Sequence, residues 1–430
     1  MAKVRLIFLS LLTLLFCSCE QDGLDLTMTL GPYGKESRQV LLLYGAGFNN
    51  LSNEIQSNID IIKEGYLPGK GRNEDVVLVF SHQTLNDREN CVDKTAPALY
   101  RLYDEHGETR ADTLRTWPVG TPVANKEVMK DVFNWVRDAF PAAGYGAILS
   151  SHASGYLPED YYANPKKYEG RDRGNSSSWS PRLNSFGIEY IEYHSRWDNE
   201  KQEMELKDLA AAIPYKLDYL VFDACLMGTV EVAWELRNVC SYVAFSPCEI
   251  PAAGFDFRNL VEHLLKPEVP DVKAVCQDYF AFYQHDTTYG GATITLVDCS
   301  RLDRLAATCR DLFDRYRSGI RNLDGKNVQV YDRLDSKKYY AFFDLKDMLR
   351  EAGASEADLA SLQAALDEAI VYEAHTAKFI NVQLDRVCGL ATYLPAYPDY
   401  RRDIYHGTEF LDYFYQENIA WNQATALVVE

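Results

Sequence analysis

The chain has 430 residues, of which 13% are aromatic, a length and composition that suit one large globular domain or two modest ones. Its 63 acidic and 44 basic residues give a formal net charge of −19, which argues against nucleic-acid binding and favours cationic substrates. None of the ten cysteines lies in a CxxC or Cys/His metal spacing, and no Asp-rich loop is present. The sequence therefore predicts no metal or other cofactor and leaves a calcium requirement open.

The first residues differ in character from the rest of the chain. Two basic residues precede an apolar run, Leu6 to Phe16, which is too short to span a bilayer comfortably and is typical of a signal peptide. The run ends in Phe-Cys-Ser-Cys, which resembles a bacterial lipoprotein signal. We therefore predict that residues 1–18 are removed, that Cys19 carries the lipid, and that residues 19–37 form a polar tether to the cell envelope. A simple secretory signal is the alternative.

Strands and helices alternate along the next hundred residues. Apolar runs at 38–45 and 74–81 predict two strands, and the amphipathic segment 51–63 between them predicts a helix. Residues 98–117, which surround His-Gly, predict a β-hairpin. A further helix is predicted over 126–140. This alternation predicts an α/β sheet with a parallel core.

Two later strands each run into a residue with catalytic chemistry. The strand that begins at 144 ends before His152 and a turn of small residues, and the apolar strand 217–222 ends just before Cys225. If the two strands are parallel and adjacent, their ends place an imidazole beside a thiol at one edge of the sheet. We therefore predict that Cys225 is a nucleophile and His152 its acid/base. A buried structural thiol is the alternative, and His82 ranks below His152 as the base because no small-residue turn follows it.

The remainder of the chain divides into a long loop, a core and a helical end. Residues 156–184 are polar and show no periodicity, which is typical of a functional loop or a disordered insertion. We predict an α/β core over 38–300. The part from 301 to 430 is expected to be mainly helical and to return one strand, 388–395, to the core.

These segments together resemble the clostripain family of cysteine peptidases, relatives of the caspases, legumain and gingipains. The most specific match is the Asp-Ala-Cys-Leu-Met motif at 223–227, and Ser-His-Ala-Ser-Gly-Tyr at 151–156 resembles the histidine motif. The similarity spans roughly residues 38–400. It implies a caspase-like three-layer α/β sandwich with a mostly parallel central sheet and a largely helical C-terminal subdomain. It also implies a cysteine endopeptidase in which Cys225 attacks the peptide carbonyl and His152 acts as acid/base.

One departure from the family pattern concerns the oxyanion. The family has glycine directly after the histidine, and its backbone N–H helps to hold the oxyanion; this chain has Ala153. Alanine keeps the N–H group, so we predict an oxyanion hole formed at Ala153 and Cys225, provided that the backbone does not need a positive φ. The substitution also favours an alternative, an inactive relative that keeps the fold and acts as a lipid-anchored binding protein.

A second departure concerns the substrate pocket. The family's substrate loop tends to carry an additional acid just before a glycine and an aromatic residue, where this chain has Ala-Ala-Gly-Phe at 252–255. By resemblance, Asp223 then becomes the main determinant of cleavage after Arg or Lys. Glu249 and Asp256 are the nearest other acids, and we predict that they also bind substrate.

Related peptidases of the clostripain type mature by a cut beside the active site. The 156–184 loop offers basic residues next to the predicted site, and a tethered segment has a high effective concentration there. We therefore predict self-processing within this loop, with Lys166 or Lys167 as the first choice. The candidate cleavage residues are Lys166, Lys167, Arg171, Arg173 and Arg182.

Overall fold

A computed structural model of the protein describes residues 37–71, 74–81, 95–158, 186–195, 198–285, 290–333, 340–395 and 409–429. The predicted signal peptide, the lipidation residue Cys19, the alternative base His82 and all candidate processing residues lie outside the described residues. No helix within the described segments is long and apolar enough to cross a membrane.

The described residues form fifteen strands, and nine of these make up the large sheet at the centre of the fold. In chain order the strands are β1 (Ser37–Gly45), β2 (Val76–Ser81), β3 (Ala98–Glu105), β4 (Glu108–Thr116), β5 (Ala142–Ser150), β6 (Phe186–Ser195), β7 (Asp198–Met204), β8 (Leu217–Asp223), β9 (Cys240–Phe245), β10 (Thr293–Asp298), β11 (Phe343–Asp344), β12 (Ile370–His375), β13 (Lys378–Phe379), β14 (Val382–Gln383) and β15 (Ala391–Thr392). The order across the large sheet is β12-β10-β9-β8-β5-β1-β2-β3-β4. The neighbours from β9 to β2 are parallel, and the strands at both edges are antiparallel.

Helices cover both faces of this sheet. In chain order they are α1 (Ser52–Glu64), α2 (Lys126–Ala139), α3 (Leu206–Ala212), α4 (Val230–Leu236), α5 (Phe257–Leu265), α6 (Val272–Tyr283), α7 (Leu302–Arg315), α8 (Arg317–Arg321), α9 (Leu345–Glu351), α10 (Glu356–Ala369), α11 (Glu409–Asn418) and α12 (Ala420–Thr425). The apolar sides of α1, α5 and α6 pack on one face, and those of α2, α4 and α7 pack on the other.

Strand β1 illustrates why the sheet is buried on both sides. Val40, Leu42 and Tyr44 belong to one core, whereas Leu41 and Leu43 belong to the opposite core. Successive side chains of a strand point to opposite faces, so an unbroken apolar run is the pattern of a strand covered by helices on both sides. The predicted three-layer sandwich with a mostly parallel sheet is confirmed.

The C-terminal part differs in detail from the sequence prediction. Strand 388–395 was expected, but only β15 is found there, and it pairs with β11 in a separate two-stranded sheet. The apolar run at this position reflects burial against the helical layer, since Leu390, Ala391 and Tyr393 are fully buried. Strand β12, which the sequence did not predict, pairs antiparallel with β10 at the sheet edge. None of its residues is buried, and its apolar run ends at Tyr372, so it lacks the long apolar run that marks the inner strands.

Candidate active site

Strands β5 and β8 bring the predicted nucleophile and base together. The two strands are adjacent and parallel, and Ser150 pairs with Asp223 at their C-terminal ends. His152 follows Ser150 by two residues and Cys225 follows Asp223 by two residues, so both side chains leave the sheet at the same edge. Both line one cavity of about 90 Å³. The predicted adjacency of these strands is confirmed.

The thiol of Cys225 is half-buried and rests against the loop that follows β9. Its Sγ lies 3.4 Å from the backbone N of Ile250 and 3.7 Å from the carbonyl O of the same residue. Burial and, to a smaller extent, the nearby Glu249 carboxylate raise the pKa of the thiol to about 12, against the Ile250 N–H, which lowers it. The thiol is therefore protonated at neutral pH in this conformation, so a base must remove its proton as it attacks.

The loop after the thiol and the loop after the histidine are packed directly on one another. Leu226 has a left-handed backbone with φ 61°, an uncommon conformation for a non-glycine residue, and its N–H bonds to Cys248 O at 2.9 Å. Gly155, with φ +64°, lies so close that a Cβ there would be 2.6 Å from the carbonyl oxygen of Leu226 and 2.7 Å from Phe342. Only glycine fits this contact, which fixes the two loops relative to each other.

The imidazole of His152 is held by a side chain that sequence reasoning missed. Its Nε2 lies 2.8 Å from Oδ1 of Asn50, which comes from the turn between β1 and α1. An amide oxygen only accepts hydrogen bonds, so Nε2 carries the proton and Nδ1 carries the lone pair in the neutral ring. The only sequence signal was an Asn-Asn pair before a predicted helix, which is equally typical of a helix start.

Asp223 lines the cavity and is 9% exposed. Its Oδ2 accepts a hydrogen bond from Ser150 Oγ at 2.9 Å. Burial raises the pKa of this carboxyl to about 6, and the Ser150 hydrogen bond acts in the opposite direction. Gly254, with φ +67°, approaches the carboxylate so closely that a Cβ there would lie 2.7 Å from Asp223 Oδ1, so glycine is required at this contact.

The two other acids predicted to bind substrate have different partners in the structure. Glu249 forms an ion pair with Arg333, whose Nη2 lies 2.6 Å from its Oε2. Asp256 caps α5, where its carboxylate accepts from the backbone N of Arg258 at 3.2 Å and from Nδ2 of Asn259 at 2.9 Å. Neither acid lines the cavity, so their predicted roles gain no support from the geometry.

A different carboxylate, that of Glu54, lines the cavity. It lies in the first turn of α1, the helix that also contributes Ile55 and Asn58 to the cavity wall. In the sequence, an acid in the first turn of a helix is fully explained by the helix dipole, so nothing indicated a second role.

The described residues contain no cluster of His, Cys, Asp and Glu of the size that a metal ion needs.

The predicted oxyanion position is compatible with alanine. Among the described non-glycine residues, those with a positive φ are His106, Leu226, Ile380 and Ala426. Ala153 is not one of them, so its methyl group imposes no backbone strain.

Ala153 forms a β-bridge with Phe186, and the carbonyl of His152 accepts a hydrogen bond from the N–H of Gly187 at 2.9 Å. The first residues after the 156–184 loop are thus paired with the histidine motif.

Comparison with known sequences identifies the family. The sequence pattern of the clostripain family matches residues 193–426, just over half of the chain, a range that includes Cys225 but not His152. Clostripain from Hathewaya histolytica is 24% identical over 248 residues. The matched region covers 54% of this chain and 43% of that protein, so the chain spans less than half the length of this relative.

Solved structures share the fold over nearly the whole chain. An inactive zymogen C11 protease from Parabacteroides distasonis is 25% identical with a TM-score of 0.71, and the match covers 91% of this chain and 99% of that one. A secreted C11 cysteine protease from Bacteroides thetaiotaomicron, solved in complex with an irreversible peptide inhibitor, resembles this chain in fold with a TM-score of 0.69. It is 22% identical, and the match covers 90% of this chain and 99% of that one. The fold is therefore caspase-like, as predicted, and the chain belongs to the clostripain family.

Proposed function

We propose that this protein is a cysteine endopeptidase that cleaves peptide bonds after arginine or lysine. The observation that carries the proposal is that the Cys225 thiol and the His152 imidazole line one cavity at the ends of adjacent parallel strands. A thiol and an imidazole placed in one cleft are the groups that nucleophilic acyl transfer requires.

The reaction follows from the protonation states of these two groups. His152 takes the thiol proton as Cys225 Sγ attacks the peptide carbonyl, because the thiol alone does not ionise at neutral pH. The carbonyl oxygen becomes an oxyanion, which the backbone N–H groups of Ala153 and Cys225 stabilise. His152 then returns the proton to the leaving amine, and water hydrolyses the thioester with the imidazole as base. Asn50 holds the ring by Nε2, so Nδ1 is the nitrogen that exchanges the proton.

Preference for a basic residue at P1 is assigned to Asp223. The carboxylate lies two residues before the thiol, is largely buried and lines the same cavity. Burying a cationic side chain of the substrate beside it pairs two charges that would each be costly to bury alone.

The alternative of an inactive binding protein has less support. It depended on Ala153 in place of glycine, and the described backbone gives that residue no positive φ that would conflict with a side chain. No other observation in the cavity favours binding without chemistry.

Cleavage of a fluorogenic peptide library tests the proposed function. The expected result is much faster hydrolysis of peptides with Arg or Lys at P1 than of peptides with a neutral P1, at rates that a matched Cys225→Ala preparation does not reach. Cleavage that is unchanged in the Cys225→Ala preparation, or no cleavage of any peptide, contradicts the proposal.

Self-processing in the 156–184 loop is the second part of the proposed function. The segment that follows the loop is paired with His152 and Ala153 through Gly187 and Phe186, so the loop begins and ends at the histidine motif. We expect wild-type protein to be cut after a basic residue of the loop, first at Lys166 or Lys167, and the Cys225→Ala protein to stay intact. N-terminal sequencing of both, purified identically, decides the matter. A nick of equal extent in both proteins assigns the cut to another protease.

Export and anchoring complete the proposal. Residues 1–18 act as the signal peptide, and Cys19 is the lipidated first residue of the mature chain at the cell envelope. The expected intact mass is that of a chain beginning at Cys19 with attached acyl groups, and Cys19→Ala is expected to leave the membrane fraction. Unchanged mass and fractionation of the Cys19→Ala protein would rule out the anchor.

A further inference from the structure

Glu54 places a second carboxylate in the cavity that holds the thiol. It lies in the first turn of α1 and lines the cavity together with Asp223, His152 and Cys225. Its Oε2 is buried and has no hydrogen-bond partner among the described residues. A buried carboxylate oxygen without a partner is costly, so it favours a hydrogen-bond donor that enters the cavity.

The chemistry of such a donor follows from the other carboxylate that lines the cavity, that of Asp223. Asp223 is 9% exposed; its Oδ2 accepts a hydrogen bond from Ser150 Oγ, and its Oδ1 lies close to Gly254. Glu54 and Asp223 line the same cavity, so a cation bound in that cavity would be attracted by both carboxylates. A guanidinium or ammonium group supplies several donors and a positive charge, which is the combination that both carboxylates lack.

We propose that Glu54 is a specificity-determining residue that supplies the second carboxylate for a cationic P1 side chain. It does so from helix α1, since the loop residues that also line the cavity, Ile250, Pro251 and Ala252, include no acid. The inference rests on the proposed peptidase function and adds to it a second carboxylate for the P1 side chain.

The alternative role for Glu54 is structural, since an acid in the first turn stabilises a helix through its dipole. Glu127 offers a matched control, because it is an acid in the first turn of α2 and is exposed. Loss of the dipole interaction in Glu54→Gln lowers stability and affects all substrates alike. Loss of a charge partner affects only substrates with a basic P1 residue.

The test compares Glu54→Gln, Glu127→Gln and wild type on peptides that differ only at P1. We expect Glu54→Gln to lower kcat/KM for Arg and Lys peptides by about 30-fold or more, the lower end of the effect of removing one partner of a buried charge pair. Peptides with a neutral P1 should be affected less than threefold, and Glu127→Gln should match wild type on both. An equal loss on basic and neutral peptides, or no loss, overturns the proposal.

A binding measurement separates failure of this inference from failure of the proposed function. The small guanidinium compound agmatine is titrated calorimetrically into full-length Cys225→Ala protein and into the Cys225→Ala/Glu54→Gln double variant, neither of which needs to cleave anything. We expect binding to the first and at least tenfold weaker binding to the second. If the wild type cleaves no peptide but this difference is found, the cation pocket stands and the peptidase function does not. Equal or absent binding to both variants overturns the role of Glu54.

Discussion

Cys225→Ala and His152→Ala are each expected to lower kcat for peptide cleavage on the order of 10⁴-fold or more. The thiol forms the covalent bond, and the imidazole removes a proton that the thiol does not lose at neutral pH by itself, since burial raises its pKa to about 12. The two residues act as a unit, so the double variant should be no slower than either single variant. Initial rates on one Arg peptide measure all three.

Cys388→Ala is the matched control for this series. Cys388 is another half-buried thiol and does not line the cavity. Its Sγ donates a hydrogen bond to the carbonyl O of Leu390 at 3.5 Å. Its removal should leave the rate within about twofold of wild type, as expected for a site remote from the chemistry. Substantial activity in either Cys225→Ala or His152→Ala would place the reaction elsewhere in the chain.

Asp223→Asn is expected to lower kcat/KM for Arg and Lys peptides by about 30-fold to 4,000-fold, while peptides with a neutral P1 change little. The range corresponds to the 2–5 kcal/mol lost when one partner of a buried charge pair is removed. Asparagine keeps the shape of the side chain and an oxygen that accepts from Ser150 Oγ. The change therefore removes the charge and leaves the packing. A wild type that already prefers a neutral P1 contradicts this assignment.

The pH dependence provides an independent check on Asp223. Burial raises the pKa of its carboxyl to about 6, so the group gains its charge as the pH rises through 6. The ratio of kcat/KM for Arg over neutral peptides should thus increase roughly tenfold between about pH 5 and pH 7. His152 and Cys225 act on both peptides, so their titrations cancel in the ratio. In Asp223→Asn this increase should disappear.

The sequence indicated the elements that carry the chemistry because their patterns are local. Strands β5 and β8 are apolar runs that end abruptly in small and polar residues, and parallel α/β sheets place their sites at such ends. The hairpin of β3 and β4 was also predicted, because a His-Gly pair between two strand patterns suits a tight turn. In the structure the two residues of this turn adopt the positive φ values of 58° and 85° that such a turn requires.

The residues that the sequence did not reveal depend on contacts between distant parts of the chain. Asn50 lies about a hundred residues before its hydrogen-bond partner His152. Glu54 lies about 170 residues before Cys225, with which it lines the cavity. Each of the two has a sufficient local explanation at a helix start. The pairing of Glu249 with Arg333 crosses 84 residues in the same way. Periodicity predicts which face of an element is buried, whereas the partner of a polar side chain is set by tertiary packing.

Covalent labelling tests the central claim most directly. The full chain is incubated with an irreversible peptide electrophile that carries arginine at P1, and the modified residue is identified by peptide mapping with mass spectrometry. We predict one adduct, on Cys225, that forms much more slowly in His152→Ala and is blocked by an excess of an Arg peptide. An adduct on another cysteine, or a wild-type protein that takes up no label, would contradict it.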